Sequence, residues 1–200
     1  MESNTKERIL EEALTLFSQN GYAGTSMSDI AGALGITKAA LYKHFSAKEE
    51  MLNALLQKGE EQYQMKFGSL AHPPKIPESI EELKELSLRQ ITYTMHAPDV
   101  KKYRKLFTIE QFHNERIAEF ATMHFLTGLE CLYTMIFEKM MKKGTLKQED
   151  PGFLSFEYLT PVTLMIQQCD RQPEWEEKAM ERIRRHIDYF LETHAVKPGL

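Results

Sequence analysis

An all-α fold follows from three features of the sequence. Apolar residues recur at helical spacing along most of the chain, period-two alternation is hard to find, and the helical stretches are punctuated by caps, glycines and prolines. Together they predict about nine helices.

Ile9, Ala13, Leu16 and Phe17 form one stripe, giving a first helix from about Thr5 to Gln19 that Asn20-Gly21 ends. A short second helix, about Met27 to Leu34, opens on Ser26-x-x-Asp29, a capping box, and Gly35 closes it. Thr37 is an N-cap for a third helix, about Lys38 to Phe45. Ser46-x-x-Glu49 has the capping-box spacing again and opens a fourth, reaching about Phe67. The run His72-Pro73-Pro74-Lys75-Ile76-Pro77 is the strongest break in the chain. A fifth helix follows from Glu78 to His96, and Pro98 separates a sixth, about Asp99 to Phe112.

The seventh, Glu115 to Lys142, is apolar on more than one face, as a surrounded helix must be. Lys142-Lys143-Gly144 suits its end, with cations beside the last carbonyls. Asp150-Pro151 starts the eighth, with Pro161 inside it as an expected kink. Pro173 precedes the ninth, about Glu174 to His194, striped by Ala179, Ile183, Ile187, Phe190 and Leu191.

Composition narrows the function classes. With 42% hydrophobic and 27% charged residues the chain reads as an ordinary soluble globular protein. No unbroken run of 18 apolar residues suggests a membrane span, and the polar start Met1-Glu2-Ser3-Asn4-Thr5-Lys6 has no secretory character. A cytoplasmic protein without membrane partners is therefore expected. Cys131 and Cys169 form no Cys-x-x-Cys pair and are expected as two buried thiols. Glu110-x-x-His113 has the one-turn spacing of di-iron bundles, but no second copy exists in the chain. Gly-x-Ser-x-Gly and glycine-rich phosphate loops are also missing. The expectation is a protein that is not an enzyme, with no cofactor and no metal.

The second and third helices, joined by Gly35-Ile36-Thr37, have the spacing of a helix-turn-helix. Ile30, Leu34, Ile36 and Leu41 are placed to pin the pair, leaving Lys38, Ala39, Lys43 and His44 on the other face. Small residues such as Ala39 and Ala40 let backbone approach base edges, and Lys38 can reach guanine acceptors or phosphate. Tyr42, Lys43 and Lys48 suit phosphate contacts, which fix register without reading sequence. Bulk charge does not favour this reading. Up to residue 56, Lys6, Arg8, Lys38, Lys43 and Lys48 stand against Glu2, Glu7, Glu11, Glu12, Asp29, Glu49 and Glu50. Positive charge must be arranged locally, around the third helix.

Three strings carry a resemblance: Gly21-Tyr22-Ala23-Gly24-Thr25-Ser26-Met27-Ser28-Asp29-Ile30-Ala31, then Leu34-Gly35-Ile36-Thr37-Lys38-Ala39-Ala40-Leu41-Tyr42-Lys43-His44-Phe45, then Lys48-Glu49. Together they resemble the signature of the TetR family of bacterial transcriptional regulators, over about a quarter of the chain. The resemblance implies a helix-turn-helix DNA-binding domain over 1–48 and a helical ligand-binding and dimerisation domain over 49–200. It implies phosphate contacts from Thr25, Tyr42 and Lys48 and a reading surface of Thr37, Lys38, Ala39, Ala40, Lys43 and His44. Many members carry glycine at the position of Ala39, a departure that bears on operator sequence. The implied function is a repressor released from a palindromic double-stranded operator by a small, mostly apolar effector. The alternative is a helical ligand-binding or protein-interaction module without DNA function.

The resemblance says less of the remaining chain. Aromatics, methionines and histidines that suit an effector pocket are Tyr63, Tyr93, His96, Tyr103, Phe107, His113, Met123, His124 and Tyr158, with Met65, Phe112, Phe125 and Met135 as further wall candidates. Each also fits a helical core. A two-fold seam for a homodimer would come from Phe156, Leu159, Val162 and Ile166 with Ile183, Ile187 and Phe190, stripes that equally suit the chain's own core.

Overall fold

The computed structural model describes residues 2–69 and 71–196. Among them there is no β-strand, and helices follow one another from end to end. They are α1 (Glu2–Asn20), α2 (Met27–Ala33), α3 (Lys38–Tyr42), α4 (Lys48–Phe67), α5 (Ile80–His96), α6 (Pro98–Glu110), α7 (Glu115–Thr122), α8 (Gly128–Lys142), α9 (Pro151–Arg171) and α10 (Glu176–His194). The expected all-α fold is the observed one. The expected seventh helix is a single helical run, Glu115–Lys142, interrupted by a π turn at Met123–Thr127 that separates α7 from α8. A three-residue 3₁₀ turn, Pro173–Trp175, leads into α10.

Local chemistry sets most boundaries. Ser26 and Asp29 form the reciprocal capping box, and Thr37 caps α3 by accepting the Ala40 N–H at 3.1 Å. Asp150 caps α9 through the Phe153 N–H at 2.8 Å, and Pro151 takes the first helical position. Three expectations shift. The third helix ends at Tyr42, because the N–H groups of His44 and Phe45 both turn back to the Leu41 carbonyl. Ser46 pairs with Glu50 and not Glu49: backbone N–H and hydroxyl both donate to the Glu50 carboxylate, at 2.7 and 2.9 Å. The fifth helix starts later than Glu78, since Ser79 Oγ caps the Glu82 N–H at 3.1 Å.

The chain forms two compact units, residues 2–66 with 97–121 and residues 67–96 with 122–196. In the first, α1, α2, α3, α4, α6 and α7 surround a core of Ile9, Phe17, Ile30, Leu41, Phe45, Met51, Leu55, Leu106 and Ile117, all buried. This unit extends past residue 48, taking in most of α4, all of α6 and all but the last residue of α7.

In the second unit α5, α8, α9 and α10 enclose an aromatic core. Phe190 lies 4.6 Å from Tyr158 and 5.7 Å from Phe137, centroid to centroid. A polar chain threads this core. The Tyr158 hydroxyl donates to Ser87 Oγ at 2.7 Å, Ser87 donates to the Leu83 carbonyl at 2.9 Å, and the Tyr133 hydroxyl donates to Gln90 at 2.9 Å. Each buried hydroxyl thereby keeps a partner.

By length and mean hydropathy (1.2 over 18 residues) the run Glu115–Lys142 is sufficient to cross a membrane, which the sequence reading does not anticipate. In its α8 part Leu132, Tyr133, Ile136, Phe137, Met140 and Met141 are buried, while only 28% of the 18-residue window is buried and Met123 and Leu126 in the π turn are exposed. Cys169 is buried as expected, whereas Cys131 is exposed, because it falls on the outer face of α8.

Burial pushes the Tyr133 phenol up to about 12, against a smaller lowering by its Ser87 contact, and burial raises Tyr158 as well. A raised folded-state pKa supports stability below the unfolded value near 10 and loses that support as pH climbs toward the folded value. Urea unfolding should therefore show stability falling between about pH 10 and 12, and Tyr133→Phe should reduce that slope by up to about 1.4 kcal/mol per pH unit. An identical slope in Tyr133→Phe would contradict the assignment.

Candidate nucleic-acid interface

The helix-turn-helix is built from two short helices, of seven and five residues, so packing must hold it. Ile30 from α2 and Leu41 from α3 are both fully buried, and Leu34 and Ile36 are half-buried between them. Gly35, at φ +65°, makes the turn, with its N–H bonded to the Gly32 carbonyl at 3.1 Å. On the far side of α3, Thr37, Lys38, Ala39, Tyr42 and Lys43 are exposed, while Ala40 and His44 are half-buried. Tyr42 is a large aromatic left 50% exposed, which a core role would not allow. One contiguous face thus carries two ammonium groups, a phenol, a hydroxyl and a small methyl side chain. Such a face can meet phosphate oxygens and base edges.

Two other predicted contacts stand elsewhere. Thr25 is only 1% exposed, and its hydroxyl donates to the Gly21 carbonyl at 2.8 Å. In this conformation it offers phosphate no side chain. Lys48 is half-buried, its Nζ donating to the carbonyls of Tyr22 at 2.5 Å and Thr25 at 2.8 Å. Its ammonium also sits 4.2 Å from the Tyr22 ring centroid. Burial lowers the Lys48 pKa and Glu110 partly opposes this. The Tyr22 phenol moves up, through burial first and then the charges of Glu49 and Glu110. Asp29 is held below its usual range by the Ser26 hydroxyl and backbone N–H, which keeps the α2 cap ionised.

Sequence reading misses Glu110 here. Its carboxylate accepts the Tyr22 N–H at 2.8 Å and the Ala23 N–H at 3.4 Å, from 88 and 87 residues away. The local signal for it in the sequence is only the Glu110-x-x-His113 spacing, which points to a metal pair and not to a turn 88 residues away. His113 is exposed, and among the described residues no group of three or more His, Cys, Asp or Glu is arranged to hold a metal ion.

The effector-pocket candidates divide between the units: Tyr63, Tyr103, Phe107 and His113 in the first, Tyr93, His96, Met123, His124 and Tyr158 in the second. Tyr103 is buried with its hydroxyl on the Leu55 carbonyl at 2.7 Å, and Tyr158 is buried in the polar chain above. His96 is exposed and paired with Glu176 at 2.7 Å. An open groove of about 1000 Å³ in the second unit is lined by Glu78, Glu81, Lys84, Asp188, Tyr189 and Glu192 among others, and by none of these candidates. Of the seam candidates, Val162, Ile166, Ile183, Ile187 and Phe190 are enclosed in the chain's own core. Leu159 is half-buried and Phe156 is 54% exposed, beside exposed Phe153 and Leu164 on α9.

The module's geometry defines its class: a capped helix-turn-helix with a cationic outer face. Residues 9–55 match the family described as bacterial regulatory proteins, tetR family. Over 46 residues the chain is 48% identical to the biofilm operon icaADBC HTH-type negative transcriptional regulator IcaR of Staphylococcus epidermidis, a match covering 23% of this chain and 25% of that protein. The fold of the whole chain is similar to a TetR-family transcriptional regulator structure from Mesorhizobium loti, with a TM-score of 0.72, 17% identity, and 98% and 99% of the two chains covered. It is also similar to SmeT of Stenotrophomonas maltophilia, in a structure solved with triclosan, at a TM-score of 0.73, 18% identity, and 98% and 96% coverage. The N-terminal module thus matches the TetR family over residues 9–55, and the fold of the whole chain is similar to that of these solved regulators.

Gly21 joins this family-like string to the rest of the first unit. It stands at φ +79°, and a Cβ there would lie 2.6 Å from Glu110 Oε1. Gly21→Ala should lower stability by at least about 1 kcal/mol, the cost of a left-handed L-residue before any clash is added. Gly32→Ala, where the added carbon meets nothing within 4 Å, should be neutral or stabilising. Urea midpoints of the two variants check this; a tolerant position 21 would contradict it.

Proposed function

We propose that this protein is a sequence-specific DNA-binding transcriptional regulator, acting as a repressor that a small, mostly apolar effector releases from a palindromic operator. The observation that carries the reading is the exposed face of α3: Lys38, Lys43 and Tyr42 beside Thr37 and Ala39, framed by two caps on a TetR-family module. IcaR, similar over this module, is by name a negative transcriptional regulator. The function is regulation and not catalysis, in the cytoplasm, where the operator lies.

One recognition helix reads one half-site, so a palindromic operator calls for a homodimer whose two α3 helices enter successive major grooves. Its surface would come from what α9 and α10 leave uncovered, Phe153, Phe156, Leu164 and Tyr189, more than from the enclosed stripe at Ile183 and Ile187. SmeT, similar in fold, has been solved with triclosan, which supports a small-molecule effector for this chain too. Release requires that the effector bind more tightly to a state whose recognition helices are wrongly spaced; equal affinity for both states would shift nothing. α4 is suited to carry that change, beginning at Lys48 under the helix-turn-helix and ending at Phe67 in the second unit.

Selection from a random duplex pool or genomic fragments, followed by gel shift at several salt concentrations, tests the reading. Specific retention should weaken steeply with salt through counterion release. Tyr42→Ala and Lys43→Ala should weaken all sequences alike, whereas Lys38→Ala should relax preference at one base position, by about 1–3 kcal/mol of discrimination. No retained fragment at low salt would leave the module without DNA function.

A further inference from the structure

The turn from Tyr22 to Thr25 is held from two sides by charged groups of distant helices. From α6, Glu110 accepts the N–H groups of Tyr22 and Ala23; from α4, Lys48 donates to the carbonyls of Tyr22 and Thr25. Both backbone poles of Tyr22 are thereby fixed. Glu110 is only 4% exposed, so its carboxylate has exchanged water for these amides, an arrangement tolerated only where the replacement bonds are good. The space it occupies is opened by Gly21, where any Cβ would fall 2.6 Å from its oxygen. The backbone then runs directly into Ser26, the cap of α2.

Ordinary turns are closed by their own residues. This one keeps its own bonds, from the Thr25 hydroxyl to the Gly21 carbonyl and the Thr25 N–H to the Tyr22 carbonyl, and is held in addition by the last residue of α6, which the helix-turn-helix does not contain. The seven residues of α2 and five of α3 are too short to keep a fixed attitude alone, so what anchors their entry sets where α3 points.

We propose that Glu110 is a positioning residue for DNA binding: by holding the Tyr22–Thr25 turn from α6, it sets how α2 and α3 present Thr37, Lys38, Ala39, Tyr42 and Lys43. The inference rests on the DNA-binding reading above. It makes α6 a fixed part of the reading unit, so that a displacement of α6 reaches the turn before α2 through Glu110 as well as through its packing against α1. Glu110→Gln keeps one acceptor oxygen but gives up the charge facing Lys48; Glu110→Ala gives up both.

The test uses the full-length protein, a duplex selected by the wild type from a random pool, and a scrambled duplex of equal length. Glu110→Ala should bind the selected duplex about tenfold more weakly or worse, as expected for losing a charge-assisted bond, with a smaller loss in Glu110→Gln. The loss should fall on the selected duplex more than on the scrambled one, since partial unfolding would lower both in proportion. Amide exchange at Tyr22 and Ala23 should quicken while α8 and α10 stay unchanged. A folded Glu110→Ala protein with wild-type affinity, or with unchanged exchange at the turn, overturns the proposal. Should that variant not fold, Glu110→Gln decides: unchanged discrimination and exchange overturn it, and a selective loss with faster exchange supports it. A wild type that retains no duplex overturns the DNA-binding reading itself, an outcome distinct from binding that is indifferent to position 110.

Discussion

Helices of seven and five residues do not persist in water by themselves, because nucleation costs more than so few backbone bonds return. Everything about the first unit answers that constraint. Ile30 and Leu41 sink fully into a core supplied by α1, α4 and α6, and each short helix begins on a side-chain cap. Once the inner faces are committed to packing, the outer face of α3 is left free to be polar, cationic and exposed. Its chemistry is set by what the core does not need.

The same constraint explains the division of labour among charges. The segment up to residue 56 is acidic overall, yet some of its acids are spent on structure. Asp29 and Glu50 serve caps at Ser26 and Ser46. Lys48, which sequence reading places among the phosphate contacts, is drawn inward because the tight turn after α1 leaves carbonyls that need donors. Glu110 enters for the complementary reason, as the turn's N–H groups also lack helix partners. Lys38 and Lys43 remain as exposed cations on α3.

The second unit rests on different physics. Long helices there bury a continuous aromatic and aliphatic core, and the stripes that look like a two-fold seam in one dimension are consumed by it. Ile183, Ile187 and Phe190 on α10 have at most 2% of their surface exposed. Amphipathic periodicity tells that a face is buried, not which chain buries it. The Tyr158–Ser87 and Tyr133–Gln90 bonds fix rings and hydroxyls in one arrangement at the centre of that core.

What the sequence determined by itself is what short-range chemistry controls. The Ser26–Asp29 box, the Thr37 cap, the Asp150-Pro151 start and the glycine turn at Gly35 all act within a few residues, so their consequences were legible without a fold. So were the all-α fold, the helix-turn-helix and its family resemblance. Tertiary structure alone decided the rest. It placed Glu110 against Tyr22 across 88 residues, turned Lys48 and Thr25 inward, inserted a π turn at Met123–Thr127, and enclosed five of the seven seam candidates. A capping pair is fixed by the backbone that joins its members. A carboxylate and an amide from distant helices meet only when the packing of everything between them has been settled, and no local pattern records that outcome.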